Sequence, residues 1–317
     1  MKIYWADREG KSAPENCTFH YLGFKSTSLL SPKGAQGRLK DPEIYKVIKK
    51  TFSPDKTQWT RMVHDALSQI QEKKIQKIVL ARTCTLELDR EVDPFAVTAS
   101  LKKKSEGAYL FCLKSEDFSF LGATPERLFS RTNRQILSEA VAGTRQRGKT
   151  PTEDKILEDE LLLSDKDQRE ILPVQTYIKN TLSPLCQTPP IFTPVSIHKT
   201  QNVQHLYSSC KSILRPSITD EEILKTLHPT PALCGTPKQE AFSLIESLEP
   251  FNRDLYGGVI GWSTPDDSEW IVAIRSCLIK GNRVTLYSGT GIVEGSNPDK
   301  EWDELNHKIN IYNEIFI

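Results

Sequence analysis

The sequence predicts an antiparallel α+β fold, and two of its features carry that expectation. Short β-branched or alternating runs follow one another in series, at residues 108–113, 118–122, 127–131 and 135–142 and again at 256–262, 270–280 and 283–289, with few helical periods between them. Serial strands of this kind pair as hairpins, whereas a parallel sheet needs a crossover helix after nearly every strand. No Gly-x-Gly-x-x-Gly or Gly-x-x-x-x-Gly-Lys-Ser/Thr run follows a strand, so a nucleotide-binding βαβ unit has no support.

Taken in order, the first sixty residues are rich in Ser, Pro, Gly and Lys without a sustained period and read as an irregular or partly β lead-in. Over 53–74, Trp59, Met62, Val63, Ala66, Leu67 and Ile70 recur at three and four residues, and Ser53 before Pro54 resembles an N-cap with Pro at N1, so a helix is expected. Lys77-Ile-Val-Leu-Ala-Arg82 opens a strand that runs to Leu88, followed by a short helix at 94–102. After the four serial strands a long amphipathic helix is expected over 152–180, ending before the Pro-rich 183–194. Further helices are expected at 220–227, 238–248 and 299–316.

Composition removes several classes of function. The 317 residues carry 42 Lys+Arg against 41 Asp+Glu, a formal charge of +1, and the only compact basic run is Lys102 to Lys104, so neither nucleic acid nor an anionic membrane surface is the expected partner. With 38% hydrophobic and 26% charged residues the chain is globular rather than disordered. The N-terminus lacks an apolar signal region, and no stretch approaches the ~18 apolar residues of a membrane span. The seven cysteines are scattered without a Cys-x-x-Cys pair, which suits neither a disulfide framework nor a zinc site, and a cytoplasmic protein is expected.

Several constellations could carry chemistry. Glu301, Glu304 and Lys308 share one helical face, and Asp167 and Glu170 are spaced i, i+3 on another; solvated salt-bridge stripes are the commoner meaning of such spacing. Were the two helices to face each other, three or four carboxylates would converge, a hard-oxygen set suited to Mg²⁺. Leu286-Tyr-Ser-Gly-Thr-Gly-Ile-Val293 runs a strand into a Gly-x-Gly turn whose N–H groups could approach an anion. Lys77 is either a snorkelling strand-end residue or, in a pocket, an amine with lowered pKa that could act as a base. Glu126 could be a turn carboxylate paired with Arg127. Arg275, inside an expected apolar strand, needs either a ligand carboxylate or a buried Asp or Glu. His228 and His205 read, from the residues alone, as packing or hydrogen-bonding groups.

Together the segments resemble the chorismate-utilising enzymes, the family of isochorismate, salicylate, anthranilate and aminodeoxychorismate synthases. The matching motifs run in order: Lys77 to Arg82, Gly122-Ala-Thr-Pro-Glu-Arg127, Ser138-Glu-Ala-Val-Ala-Gly-Thr-Arg145, Lys166-Asp-Gln-Arg-Glu170, Val203-Gln-His-Leu206, Leu227-His-Pro-Thr-Pro-Ala232, Leu255-Tyr-Gly-Gly258, Val272-Ala-Ile-Arg-Ser276, and Gly289-Thr-Gly-Ile-Val293 through Glu301 to Lys308. The resemblance implies two large antiparallel sheets packed together with helices outside. It implies a chorismate-binding catalytic domain over 75–317, and a lead-in over 1–74 that is short for the family yet part of the same fold.

The resemblance further implies Mg²⁺ held by Glu170 and Glu304, with Glu301 and Asp167 in its shell. Gly143, Thr144, His228, Tyr256, Arg275, Gly289, Gly291 and Lys308 would contact chorismate. Aminodeoxychorismate synthases typically carry a nucleophilic Lys at the position of Ala142, which can attack nothing, so an external nucleophile is required. Glu139-Ala-Val resembles the water-using branch, Lys77 would activate the water, and Glu126 would protonate the departing C4 hydroxyl. Isochorismate formation is the activity implied; a monomer is expected. Salicylate synthesis by further loss of pyruvate is the nearest alternative, and an ammonia-using synthase subunit is the next.

Overall fold

The structure, a computed structural model, describes residues 1–200 and 203–317, and at residue 166 the backbone alone, so the Lys166 side chain lies outside the described residues. The chain runs β1 (Lys2–Ala6), β2 (Thr18–Leu22), β3 (Ala35–Gln36), β4 (Val47–Ser53), α1 (Lys56–Gln71), β5 (Lys77–Leu88), α2 (Pro94–Lys104), β6 (Tyr109–Lys114), β7 (Ser119–Thr124), β8 (Arg127–Thr132) and β9 (Gln135–Gln146). It continues through α3 (Pro151–Leu163), α4 (Asp165–Leu182), β10 (Ile191–Phe192), β11 (Ser196–Lys199), β12 (Val203–Ile213), α5 (Asp220–Leu227), β13 (Gly235–Thr236) and α6 (Lys238–Leu248). It closes with β14 (Val259–Ser263), β15 (Asp267–Val272), β16 (Ser276–Lys280), β17 (Arg283–Ile292) and α7 (Pro298–Ile309).

The strands form two large sheets, as expected. One runs β13-β5-β17-β16-β7-β6-β1-β3, with β4 also on β5; the other runs β10-β12-β9-β8-β15-β14-β2, with β11 also on β12. Among the described residues the strands pair antiparallel except for the two-residue contact of β1 with β3, and the isolated bridge between Tyr45 and Phe316 is parallel as well. The lead-in contributes strands to both sheets. Ile3, Trp5, Tyr109, Phe111, Phe120 and Tyr287 of the first sheet meet Ile260 and Ile271 of the second in one apolar cluster, and the helices cover larger clusters on the outer faces. β5 pairs with β17 on one edge and with β13 and β4 on the other, and is buried along almost its whole length, which suits its unbroken β-branched run.

Five local expectations are corrected. Ser53 ends β4, and the N-cap of α1 is Asp55, which accepts from the Gln58 N–H while the Gln58 side chain accepts from the Asp55 N–H, a reciprocal capping box. The expected long helix is two: Ser164 has extended backbone, and its hydroxyl caps α4 through the Asp167 N–H. The C-terminal helix stops at Ile309, and β14 begins at Val259 rather than at Tyr256. The strand expected over 270–280 breaks after Val272, because β15 belongs to the second sheet and β16 to the first. Arg275 sits in that crossing with φ +51°. β12, eleven residues long, was not foreseen. It pairs with β9 along its length, and most of its residues, polar ones included, are buried.

Candidate active site

The site lies where the chain changes sheet. β7 ends in the first sheet and β8 begins in the second, so Pro125 and Glu126 form one crossing; residues 273–275 form the other. The two crossings hold each other: the Val272 N–H donates to the Glu126 carbonyl at 3.0 Å, and the Ala123 N–H to the Arg275 carbonyl at 3.1 Å. Beside them opens a cavity of ≈ 170 Å³. It shares Pro125, Thr144, His205, Arg275, Glu304 and Lys308 with a neighbouring chamber of ≈ 770 Å³.

Lys77, the first residue of β5, and Glu126 both line the cavity and are both buried. Burial pulls the Lys77 pKa below its ordinary value, opposed by Glu170 and reinforced by Lys308. Burial pushes Glu126 up to about 7, reinforced by the charge of Glu139 and opposed by Lys77, Arg8 and Lys308. These are the directions a neutral amine and a protonated acid require. The simple alternative for Glu126 does not hold, since Arg127 pairs instead with Glu139 at 3.0 Å and Glu269 at 2.8 Å.

Two glycines of β17 face these groups. A side chain at Gly291 would come within 2.9 Å of the Lys77 Cε, and one at Gly289 within 2.7 Å of the Tyr256 hydroxyl. Across the cavity β9 carries a bulge. Leu206 pairs with Ala142 and Gln204 with Arg145, so Gly143 and Thr144 together face His205. Gly143 takes φ +61°, the left-handed conformation such a bulge demands. His205 Nδ1 lies 3.0 Å from both the Gly143 carbonyl and the Thr144 hydroxyl. Burial, with Arg275 nearby, pulls the His205 pKa down to about 3, so the ring is neutral.

The acidic residues divide. Glu170 on α4 and Glu304 on α7 both line the cavity. Asp167 also lines it but pairs with Arg145 at 2.7 Å. Glu301 is buried behind the wall and accepts from the Thr290 hydroxyl at 2.7 Å. Among the described residues no three His, Cys, Asp or Glu side chains are grouped to hold a cation. The expected convergence of three or four carboxylates is thereby reduced to Glu170 and Glu304. Two hard carboxylates fit Mg²⁺, which commonly fills its remaining positions with water and substrate oxygens.

Lys308 pairs with Glu304 at 2.6 Å and donates to the Gly289 carbonyl at 2.8 Å, tying α7 to β17. The fully buried Arg82 fixes the same helix, stacked 4.0 Å from the Trp302 ring and donating to the Asn306 Oδ1. Arg275 lines the cavity and, among the described residues, pairs with no carboxylate. Its Nη1 donates to the Lys308 carbonyl at 3.4 Å. His228 is a correction: it does not line the cavity, but ends α5 buried and edge-on to Phe24.

Residues that sequence reasoning did not single out complete the walls. Arg253, fully buried, donates to the Leu233 and Val79 carbonyls and pairs with Glu249, which accepts the Ala81 N–H. Its signal was present, since an Arg so placed between apolar motifs requires a partner.

Residues 24–315 match the family described as chorismate binding enzyme. The chain belongs to this family. It is 40% identical over 267 residues to isochorismate synthase 2, chloroplastic, of Arabidopsis thaliana, covering 83% of this chain and 48% of that protein. It is 36% identical over 256 residues to isochorismate synthase MenF of Bacillus subtilis (strain 168), covering 80% and 54%. The chain spans about half the length of these relatives. Among solved structures of family members, MenF, the menaquinone-specific isochorismate synthase from Escherichia coli, superposes with a TM-score of 0.90 at 26% identity, covering 99% of this chain and 88% of that one. No helix among the described residues is long and apolar enough to cross a membrane.

Proposed function

We propose that the protein is an isochorismate synthase, adding water at C2 of chorismate with loss of the C4 hydroxyl. The observation that carries this reading is the opposed tuning of Lys77 and Glu126 on one cavity whose wall offers no nucleophile at Ala142.

In the forward reaction the neutral Lys77 amine takes one proton from water as its oxygen bonds to C2. The ring double bonds shift, the C4–O bond breaks, and Glu126 gives its proton to the departing oxygen, which leaves as water. Atoms balance, and return of a proton from Lys77 to Glu126 resets the site. Arg275 offers a planar fork to a substrate carboxylate, while the bulge at Gly143–Thr144 and the β17 glycines allow close approach of backbone to the ring. Glu170 and Glu304 would hold Mg²⁺, which when bound would neutralise a substrate carboxylate.

Incubation with chorismate and Mg²⁺, with and without ammonium, followed by mass-resolved chromatography, tests the proposal. A product isobaric with chorismate but separately eluting is expected. Salicylate with pyruvate would assign the lyase alternative, and a nitrogen-containing product would overturn water as nucleophile.

A further inference from the structure

Behind Glu126 lies a charged cluster that the proposed mechanism does not use. Glu139, on β9, is buried and receives Arg8 on both oxygens, at 3.1 and 2.6 Å, together with Arg127 at 3.0 Å and the Tyr207 hydroxyl at 3.1 Å. Glu269 receives Arg127 and the Tyr109 hydroxyl. The Arg8 guanidinium lies 5.0 Å from the centre of the Tyr109 ring. Two arginines thus balance two carboxylates in a closed set.

Arg8 does one thing more. Its Nη2 also donates to the carbonyl of Pro125, the residue before Glu126 in the first sheet crossing. It comes from the turn after β1, outside the span 24–315 matched to the family. A crossing of two residues has few anchors of its own. Glu126 is fixed by its carbonyl to the Val272 N–H and by its N–H to the Thr124 hydroxyl, and the Pro125 carbonyl is held by Arg8.

We propose that Arg8 is a positioning residue for Glu126, clamping the Pro125 carbonyl while its charge balances Glu139 behind the acid. The inference rests on Glu126 being the acid of the proposed reaction. The groups that bear on the Glu126 carboxyl are Lys77 on β5, Glu139 on β9, Lys308 on α7, Tyr256 before β14, and Arg8 in the turn after β1. Loss of Arg8 would leave Glu139 short of one cation and favour the protonated acid. Loss of the Glu139 charge would do the reverse.

The test uses the full chain with Arg8→Met, Arg8→Lys and Glu139→Gln, measuring kcat/KM for chorismate against pH. In Arg8→Met the limb near pH 7 is expected to move up by about half a pH unit or more, and kcat to fall about tenfold or more with KM little changed, as misplacement of an acid does. Arg8→Lys, which keeps the charge, holds the limb in place. Glu139→Gln moves the same limb down. Generalised loosening of the fold would not drive one limb in opposite directions. A limb unmoved in both folded variants, or moved the same way in both, overturns the inference; should Arg8→Met fail to fold, Arg8→Lys decides, since it keeps the charge but loses the fork that reaches Pro125 and Glu139 together, and a kcat equal to wild type there overturns the positioning role. A wild-type protein inactive on chorismate would instead overturn the reading of the reaction.

Discussion

Replacing Glu126 with Gln removes a proton donor and also a buried carboxyl whose ionisation the fold resists. Burial, then the charge of Glu139, raises its pKa from the ordinary 4.5 to about 7. Below pH 4.5 the carboxyl holds its proton in folded and unfolded chain alike, and stability does not depend on it. Between 4.5 and 7 the unfolded chain releases the proton and the native state does not, so the native state loses stability as pH rises. Above 7 the loss is complete. The difference of 7 − 4.5 = 2.5, at about 1.36 kcal/mol for each pH unit, sets it at no more than about 3 kcal/mol. Glutamine has nothing to ionise, so Glu126→Gln escapes this loss. Urea unfolding at pH 5 and pH 8 is the assay. The stability of the variant relative to wild type should improve by about 2 to 3 kcal/mol between the two pH values, while turnover falls by about a hundredfold or more. A stability gap that is flat or narrows across that range would refute the buried, proton-holding Glu126.

Other perturbations follow from the same geometry. Lys77→Ala should abolish isochorismate formation while chorismate affinity, measured by calorimetry, changes only a few-fold; wild-type turnover would remove Lys77 from the role of base. Glu304→Gln should weaken Mg²⁺ binding, read directly by titration calorimetry, by about tenfold or more, and unchanged affinity would exclude it as a ligand. Gly143→Ala forces a side chain into the left-handed region and to within 2.8 Å of Asp167 Oδ1, so thermal unfolding should show a loss of about 1 to 3 kcal/mol; a neutral substitution would mean that the bulge is not required. Gly291→Ala meets only the flexible end of Lys77. It should lower turnover with little change in melting temperature, and a stability loss as large as that of Gly143→Ala would contradict the contact.

Much was legible because local chemistry wrote it. Amphipathic periods place α5 and α6 at their observed ends, since apolar spacing acts within one or two turns; the structure adds a Thr219–Glu222 capping box to α5 and no side-chain cap to α6. β5 reads as a buried strand because its β-branched run admits little else. The Gly289–Thr–Gly291 run was visible but misplaced: expected as a turn with free N–H groups, it continues β17 and pairs with Val79 to Ala81 of β5, while the glycine of Ala142–Gly143–Thr144 and the ordered motifs drew most of the cavity wall together before any contact was known. What local pattern could not register was Ser164, one residue that ends α3 and starts α4 inside a continuous apolar period. The length of β12 was hidden for the opposite reason: its many polar residues give no clear apolar alternation, and its extent follows from pairing with β9.

The sequence by itself determined the α+β class, the helix and strand inventory over most of the chain, the family, and which side chains are candidates for acid, base and metal ligand, because those depend on residue type and spacing. Only the tertiary structure decided what each candidate does. It turned the 270–280 run into a crossing between sheets and thereby aimed Arg275 at the cavity, withdrew His228 and Glu301 from it, gave Asp167 to Arg145, and brought Arg8 from the lead-in to the back of Glu126. The reason is physical: a buried charge takes its role from partners distant in the chain, and the desolvation that lowers Lys77 and raises Glu126 exists only once both sheets have closed around them.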